Sequence, residues 1–154
     1  MTTAPVSFDP ATFLNQVFTE ALDTAIIPCP AGEYLAIADK VDTKPWSAKD
    51  GSSAGHKLEI QWDIQDDNVK AFLGRDVVRV KQEQMLDFTE SGALDLSKQK
   101  NVGLGRIRDA LDLNKPGQPF AFSMIQGRMA KVIVTHDPYK GEIYAAIKKI
   151  AKAG

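Results

Sequence analysis

The chain has 154 residues, 44% of them hydrophobic, which suffices for one domain with a hydrophobic core and is short for two. One cysteine excludes an intramolecular disulfide framework, and without a signal-like N-terminus or 18 consecutive apolar residues we expect a soluble, cytoplasmic protein with no membrane segment. The net charge of −1 argues against a uniformly basic surface. The charge is unevenly distributed: residues 1–69, with four Lys and eleven Asp or Glu, carry −7, and residues 70–154, with fifteen Lys or Arg and nine Asp or Glu, carry +6. A polyanionic partner could bind if the second part of the chain presents one continuous basic face.

The first predicted element is an amphipathic helix in the run SFDPATFLNQVFTEALDTAI. Asp9 suits the N-cap and Pro10 the first helical turn. Six apolar residues form one stripe at helical spacing: Phe13, Leu14, Val17, Phe18, Ala21 and Leu22. Packing of this stripe on its own domain is the favoured interpretation, and an arm that binds a partner or forms a dimer is the alternative. Because Pro28 ends the helix, we expect a helical arm over residues 1–26 and a separate domain over residues 27–154.

Short extended segments follow the arm. The run KLEIQWDI alternates apolar and polar residues, which predicts a half-buried strand with Trp62 in the core rather than on the surface. Five segments are predicted strands, with a helix as the alternative for the last: residues 33–41, 57–64, 77–88, 128–136 and 142–150.

The glycine-rich run KNVGLGRIRDALDLNKPG lies between the third and fourth strands. A dinucleotide-binding loop needs a preceding strand and a third glycine where Arg108 stands, and no Gly-Lys-Ser/Thr completes a Walker loop. The run instead predicts a short helix, and its inner face carries Val102, Leu104, Ile107, Ala110 and Leu111. Gly103 and Gly105 would allow this helix to approach the strands closely. Arg106 and Arg108 point to different sides, so at most one of them would face a phosphate.

Five strands with a helix between the third and fourth have the order of an OB-fold. The predicted fold class is therefore all-β: a five-stranded, OB-fold-like Greek-key barrel with that short helix and the N-terminal amphipathic helix. OB-folds bind oligonucleotides through strands 2 and 3 and through the loops that join strands 1 to 2 and 4 to 5. Here the first loop, residues 42–56, and the second, residues 137–141, each hold an aromatic ring beside a cation. Such pairs suit stacking on bases and binding of phosphates, and covering of the barrel ends by the rings is the alternative.

The candidate nucleic-acid-binding residues are the two loop aromatics, expected to stack on bases, and cations of the loops, the third strand and the helix region. They are Lys44, Trp46, Lys49, Arg79, Lys81, Lys98, Lys100, Arg106, Tyr139 and Lys140. Two histidines and one cysteine do not make a usual zinc set, and Cys29, between two prolines, is interpreted as a structural or surface thiol. We therefore expect no metal, no cofactor and no catalytic residue.

Several runs together resemble a family of bacteriophage proteins with a single OB-fold. These are IPCPAGEY, KLEIQWDI, KNVGLGRIRDALDL and SMIQGRMAKVIV with its hairpin to EIYAAIKKI, and the resemblance covers about residues 27–150. It implies sequence-tolerant binding of single-stranded DNA during replication or recombination, in the host cytoplasm, and it implies no catalytic residues. Many proteins with this function end in an acidic tail that recruits partners. This chain ends in KKIAKAG, and the acidic run DIQDD is the candidate substitute.

The sequence thus predicts a non-enzymatic single-stranded DNA-binding protein. Replication or recombination proteins are expected as further partners, and the N-terminal helix is a candidate for self-association. The alternative is an OB-fold module for protein–protein interaction or assembly that binds no nucleic acid. A small hydrolase is a third, weaker alternative, because the chain shows no acid/base pair.

Overall fold

The computed structural model describes residues 8–23 and 26–154. Its centre is a closed barrel with the strand order β1-β2-β3-β5-β4. Neighbouring strands are antiparallel except β3 and β5, which are parallel. This order confirms a five-stranded, mostly β architecture and is consistent with the OB-fold-like barrel predicted from the sequence. The strands are β1 (Gly32–Ser47), β2 (Ala54–Ile64), β3 (Arg79–Met85), β4 (Met129–Tyr139) and β5 (Glu142–Lys152).

Strand β1 closes the barrel because it pairs with two neighbours. Its first part, Gly32 to Ile37, pairs with β4, and its second part, Ala36 to Ser47, pairs with β2. The register with β2 shifts between Ala38 and Lys40. Such an irregularity bends a strand and increases its twist, which lets one strand serve both sheet edges.

The barrel interior is filled by alternate residues of the strands. The apolar residues of KLEIQWDI are fully buried, as the alternation predicted: Leu58, Ile60, Trp62 and Ile64. Trp62 Nε1 donates a hydrogen bond to Gln82 Oε1 at 2.8 Å, so the buried indole N–H has an acceptor. The last predicted strand is a strand and not the helix that was its alternative.

Two α-helices, α2 (Asp67–Leu73) and α3 (Val102–Ala110), and a 3₁₀ helix at Phe122–Ile125 are part of the barrel domain. The sequence did not predict α2. Its N-cap is Asp66, whose carboxylate accepts from Val69 N at 3.0 Å, so this acid of the DIQDD run is used in capping.

Helix α3 forms where the glycine-rich run predicted it. Leu104, Ile107 and the following Leu111 are buried, whereas Val102 is 49% exposed and does not belong to the inner face. The two glycines of the run differ. A Cβ at Gly103 would overlap the side chain of Gln84, so the close approach expected there is present. A Cβ at Gly105 would meet nothing within 4 Å, so the close approach expected at that glycine was wrong.

The N-terminal helix is much shorter than predicted. Helix α1 covers only Pro10–Leu14, with Asp9 as its N-cap, and residues 15–23 are not helical. All six residues of the predicted stripe are exposed, so the favoured interpretation, packing on the chain's own domain, is wrong. A helix as long as the predicted one is unstable when no tertiary packing covers its apolar face, because helix nucleation is unfavourable. This is why only one short turn forms. Residues 1–7 and 24–25 of the predicted arm lie outside the described residues.

No helix in the described part of the chain is long and apolar enough to cross a membrane.

Candidate nucleic-acid interface

The predicted first loop is mostly strand. Strand β1 continues to Ser47 and β2 begins at Ala54, so the connection is a short turn rather than the flexible loop expected over residues 42–56. In the register, Lys44 lies opposite Lys57 and Trp46 lies opposite Gly55. Backbone pairing therefore holds two of the predicted site residues in place. Lys49 is exposed in the turn itself.

Trp46 is half-buried against the facing strand. A Cβ at position 55 would lie 3.0 Å from Trp46 Nε1, so Gly55 makes room for the indole. This Nε1 is buried and has no hydrogen-bond acceptor among the described residues. The ring thus packs against the hairpin strand that carries Gly55. It also lies on the same face of β1 as Lys44, two residues before it.

The predicted cations of strands β1 and β3 are bound to carboxylates. Glu59 Oε1 is 3.1 Å from Lys44 Nζ, and Glu59 Oε2 is 3.8 Å from Lys81 Nζ. The Glu59 side chain is only 4% exposed, beneath these lysines. Sequence reasoning did not identify Glu59, although its place in the alternation put it on the outer face of β2.

A second carboxylate, Glu83 of β3, lies on the same face. Its Oε2 accepts a hydrogen bond from Lys57 Nζ at 2.6 Å, and its Oε1 is 3.5 Å from Lys81 Nζ. The hydrogen bond from Lys57 is the main reason that the pKa of Glu83 lies below its ordinary value. The outer surface of these strands therefore alternates in sign, and it is not the purely basic groove that the sequence suggested.

Arg79 begins β3 and is also ion-paired. Its Nε is 3.0 Å from Asp39 Oδ2, and both side chains are about half exposed. Exposed ion pairs of this kind contribute little to stability, ~0–1 kcal/mol, so a competing anion can replace the carboxylate at small cost.

The β4–β5 hairpin places its aromatic rings in solvent. Tyr139, the last residue of β4, is 56% exposed, and its ring centroid is 6.2 Å from that of Tyr144 in an edge-on arrangement. Lys140 Nζ lies 5.3 Å from the Tyr139 centroid, within the range of a cation–π contact. The Tyr144 hydroxyl donates to Glu142 at 2.6 Å, which raises the pKa of that tyrosine.

A cleft of about 580 Å³ joins this hairpin to β3, because it is lined by Tyr139 and Tyr144 on one side and by Lys81 and Glu83 on the other. Tyr144, 48% exposed, was not singled out from the sequence. The sequence could have indicated Tyr144, because it lies in the strand predicted to form a hairpin with the strand that ends at Tyr139.

These contacts connect two lysines and three aromatic residues into one surface. It runs from Trp46 and Lys44, through Lys81, to Tyr139 and Tyr144, and we call it the outer β-face. Lys57, Glu59 and Glu83 lie on it between the two ends.

The remaining predicted cations lie elsewhere. Lys98 and Lys100 are exposed in the segment between β3 and α3, and Arg106 lines a different groove, between α3 and β5. Arg108 is held internally: its Nε donates to the Leu113 carbonyl at 3.0 Å and its guanidinium lies 4.2 Å from the Phe120 ring centroid. Arg106 is therefore the exposed member of the arginine pair that the sequence left unresolved.

The lone thiol and one histidine have structural contacts. Cys29 is buried in the core, and burial is the main cause of its raised pKa. The Cys29 carbonyl is 2.7 Å from His136 Nε2. Among residues 8–23 and 26–154, no group of three His, Cys, Asp or Glu side chains is arranged to hold a metal ion.

Comparison with known proteins gives likenesses of structure and none of sequence family. No family model matches the sequence, and no curated protein matches it. The chain is similar to the second OB-fold domain of replication protein A from Methanococcus maripaludis, whose structure was determined by solution NMR. The two are 12% identical, with a TM-score of 0.35, over 82% of this chain and 86% of that chain. The description of the barrel therefore rests on the strand order of this chain itself.

Proposed function

We propose that this chain binds single-stranded DNA, without sequence preference, along the outer β-face. The observation that carries the proposal is the exposed Tyr139–Tyr144 pair, which shares a cleft with Lys81 and has Lys140 against one ring. Aromatic rings stack on any base, and neighbouring cations bind the phosphates between bases. In a duplex the bases are stacked inside and do not offer these faces, so the single strand is the preferred ligand.

The proposal gives roles to the stacking residues and to the lysines of the outer β-face. Tyr139 and Trp46 stack on bases at opposite ends of the strip, and Lys44, Lys57 and Lys81 bind phosphates between them. Lys49 and Arg79 flank the strip. Binding requires phosphates to displace Glu83 and, in part, Glu59 from the lysines, so we expect moderate affinity with a clear dependence on salt.

The wider role belongs to the same proposal. A sequence-tolerant binder of single strands keeps exposed DNA unpaired, which serves replication or recombination, in a phage-encoded protein acting in the host cytoplasm. No chemical step is needed for this role, so the protein acts without catalysis.

A second candidate function is an OB-fold module for protein–protein assembly. The exposed apolar residues of the N-terminal segment, Phe13, Val17 and Leu22 among them, favour it. The two functions use different surfaces and are compatible in one chain.

Replacement of the aromatics tests the proposal. Trp46→Ala and Tyr139→Ala should each weaken binding to oligo-dT by ~1–3 kcal/mol, because one stacked base is lost in each variant. Phe72→Ala is the matched control, since Phe72 is an exposed aromatic on α2, away from the strip. Fluorescence anisotropy of labelled oligo-dT measures the affinities, with circular dichroism to show that each variant folds. Affinities equal to that of Phe72→Ala in both variants would remove the stacking role.

A further inference from the structure

The N-terminal segment is an acidic, apolar stretch without a surface to cover it. Among residues 8–23, six large apolar side chains are exposed: Phe8, Phe13, Leu14, Val17, Phe18 and Leu22. The same stretch contains Asp9, Glu20 and Asp23 and no Lys or Arg, so its charge is −3. Exposed apolar groups in this number indicate an interaction surface.

The acids of this segment would share one side of a helix. At about 100° per residue, the three acids fall within about 60° of one another, next to the edge of the apolar stripe formed by Phe13 and Val17. Helix α1 already forms the first turn and its cap, and a partner surface would let the remaining residues become helical. The occupied groove would then have to be apolar at its floor and basic at its rim.

The groove between α3 and β5 has that chemistry. Its volume is about 680 Å³, and its floor includes Ile107 and Ile150. Four cations and one acid line it: Arg106, Lys148, Lys149, Lys152 and Asp109. Lys148 Nζ is 2.9 Å from Asp137 Oδ1, so three cations and one acid remain, with a charge of +2. The positive charge and the apolar floor of this groove therefore complement the acids and the apolar stripe of the N-terminal segment.

A second apolar groove fits the segment less well. It lies beside Ile143 and Tyr144, and its two arginines are already engaged. Arg79 pairs with Asp39, and Arg75 donates to the Ile27 carbonyl at 2.8 Å. Charge complementarity therefore selects the α3–β5 groove.

The positions of the two elements favour exchange between molecules. The root of the segment, at Ile26 and Ile27, lies beside the first residues of β5, from Glu142 to Ala145, whereas the basic groove lies beside the last ones, Lys148 to Lys152. In the described chain the segment packs on neither. We propose that the N-terminal segment of one copy docks in the α3–β5 groove of a second copy, with its acids on the basic rim. This inference does not depend on DNA binding, because the proposed stacking residues lie outside the groove, although Lys148 lines both the groove and the cleft beside Tyr139.

A charge-swap experiment on the full chain tests the inference. Sedimentation equilibrium measures self-association of the wild type, of Glu20→Lys/Asp23→Lys and of Lys149→Glu/Lys152→Glu. Each variant should associate roughly tenfold more weakly, which is ~1.4 kcal/mol. An equimolar mixture of the two should recover association, because each segment then meets a groove of opposite charge. A chain with all four substitutions should recover it alone. Glu90→Lys, a reversal at an exposed loop position, is the control and should not change association.

Three results would overturn the inference. The first is a wild-type chain that stays monomeric at all concentrations. The second is a mixture that fails to recover association, since docking within one molecule is insensitive to mixing. The third is a Lys149→Glu/Lys152→Glu chain that associates normally but loses oligo-dT binding, which would make the groove part of the nucleic-acid surface. Normal oligo-dT affinity in Glu20→Lys/Asp23→Lys separates failure of this inference from failure of the proposed function.

Discussion

Replacing Glu83 by glutamine should strengthen binding of single-stranded DNA. In the free protein the Glu83 carboxylate holds Lys57 at 2.6 Å and lies 3.5 Å from Lys81, so it competes with phosphates for both lysines. Glutamine keeps the size of the side chain and removes its charge. Both lysines then become available on the outer β-face, although Lys81 still has Glu59 at 3.8 Å.

The size of the effect follows from counterion release. One phosphate contact on a single strand changes the slope of log K against log salt by about 0.7, which at about 0.1 M salt corresponds to about 1 kcal/mol, or roughly fivefold. Lys57 should supply about one such contact and Lys81 a smaller one, because Glu59 continues to compete. The Glu83→Gln variant should therefore bind roughly five- to tenfold more tightly at about 0.1 M salt, with a slope steeper by about 0.7–1.0.

The assay is fluorescence anisotropy of labelled oligo-dT at several salt concentrations. Glu90→Gln is the matched control, because it removes the same charge from an exposed loop. It should raise affinity only slightly, through net charge. If Glu83→Gln binds no more tightly than Glu90→Gln and shows the same salt slope, phosphates do not contact this part of the outer β-face and the reasoning is refuted.

Two further predictions concern stability. Gly105→Ala should raise the free energy of unfolding by about 0.5–1 kcal/mol, because alanine is the better helix former and its Cβ meets no atom within 4 Å. Gly103→Ala should raise the free energy of unfolding by less, because its Cβ displaces the Gln84 amide. Equal increases for the two variants in urea unfolding would contradict this difference in packing. Because Lys57 depresses the folded-state pKa of Glu83, the stability from this pair is present above the ordinary glutamate range and is lost as pH falls through the lowered pKa. Glu83→Gln should therefore be less stable than wild type by ~0.2–1 kcal/mol at about pH 7, and the difference should shrink as pH falls below the ordinary glutamate range. A difference that stays constant through acid would contradict this assignment.

The sequence predicted the barrel core where one face of a strand is buried. In KLEIQWDI the period of two is complete, and all four apolar residues, Leu58 to Ile64, are in the core. The end of β1 carries no such period, because Lys44, Pro45 and Trp46 are held by pairing with β2 rather than by an apolar face. The strand was therefore predicted to end before these residues.

The N-terminal helix was predicted too long, whereas β1 was predicted too short. Its spacing of apolar residues, from Phe13 to Leu22, is strongly helical, but only α1 forms. Periodicity reports which face a helix would bury, and it does not say whether the chain supplies a surface to bury it against. The same stripe remains informative about a partner.

The charges of the candidate site depended on strand register. Alternation placed Glu59 on the outer face of β2, but its partners Lys44 and Lys81 are known only once β1, β2 and β3 are aligned. Residue types in two loops therefore predicted aromatics beside cations, and they did not predict the carboxylates that neutralise those cations. Which of Arg106 and Arg108 is exposed became known only from the structure, because Arg108 contacts the Leu113 carbonyl and the Phe120 ring.

The most direct test of the account is a titration of labelled oligo-dT and of duplex DNA of the same length with the wild-type protein, at several salt concentrations. Binding along the outer β-face predicts preference for the single strand and a linear loss of log K with log salt, with a slope of about −0.7 for each phosphate contact. Absence of binding at low salt, or equal affinity for the duplex, would show that Tyr139 and Trp46 do not stack on bases.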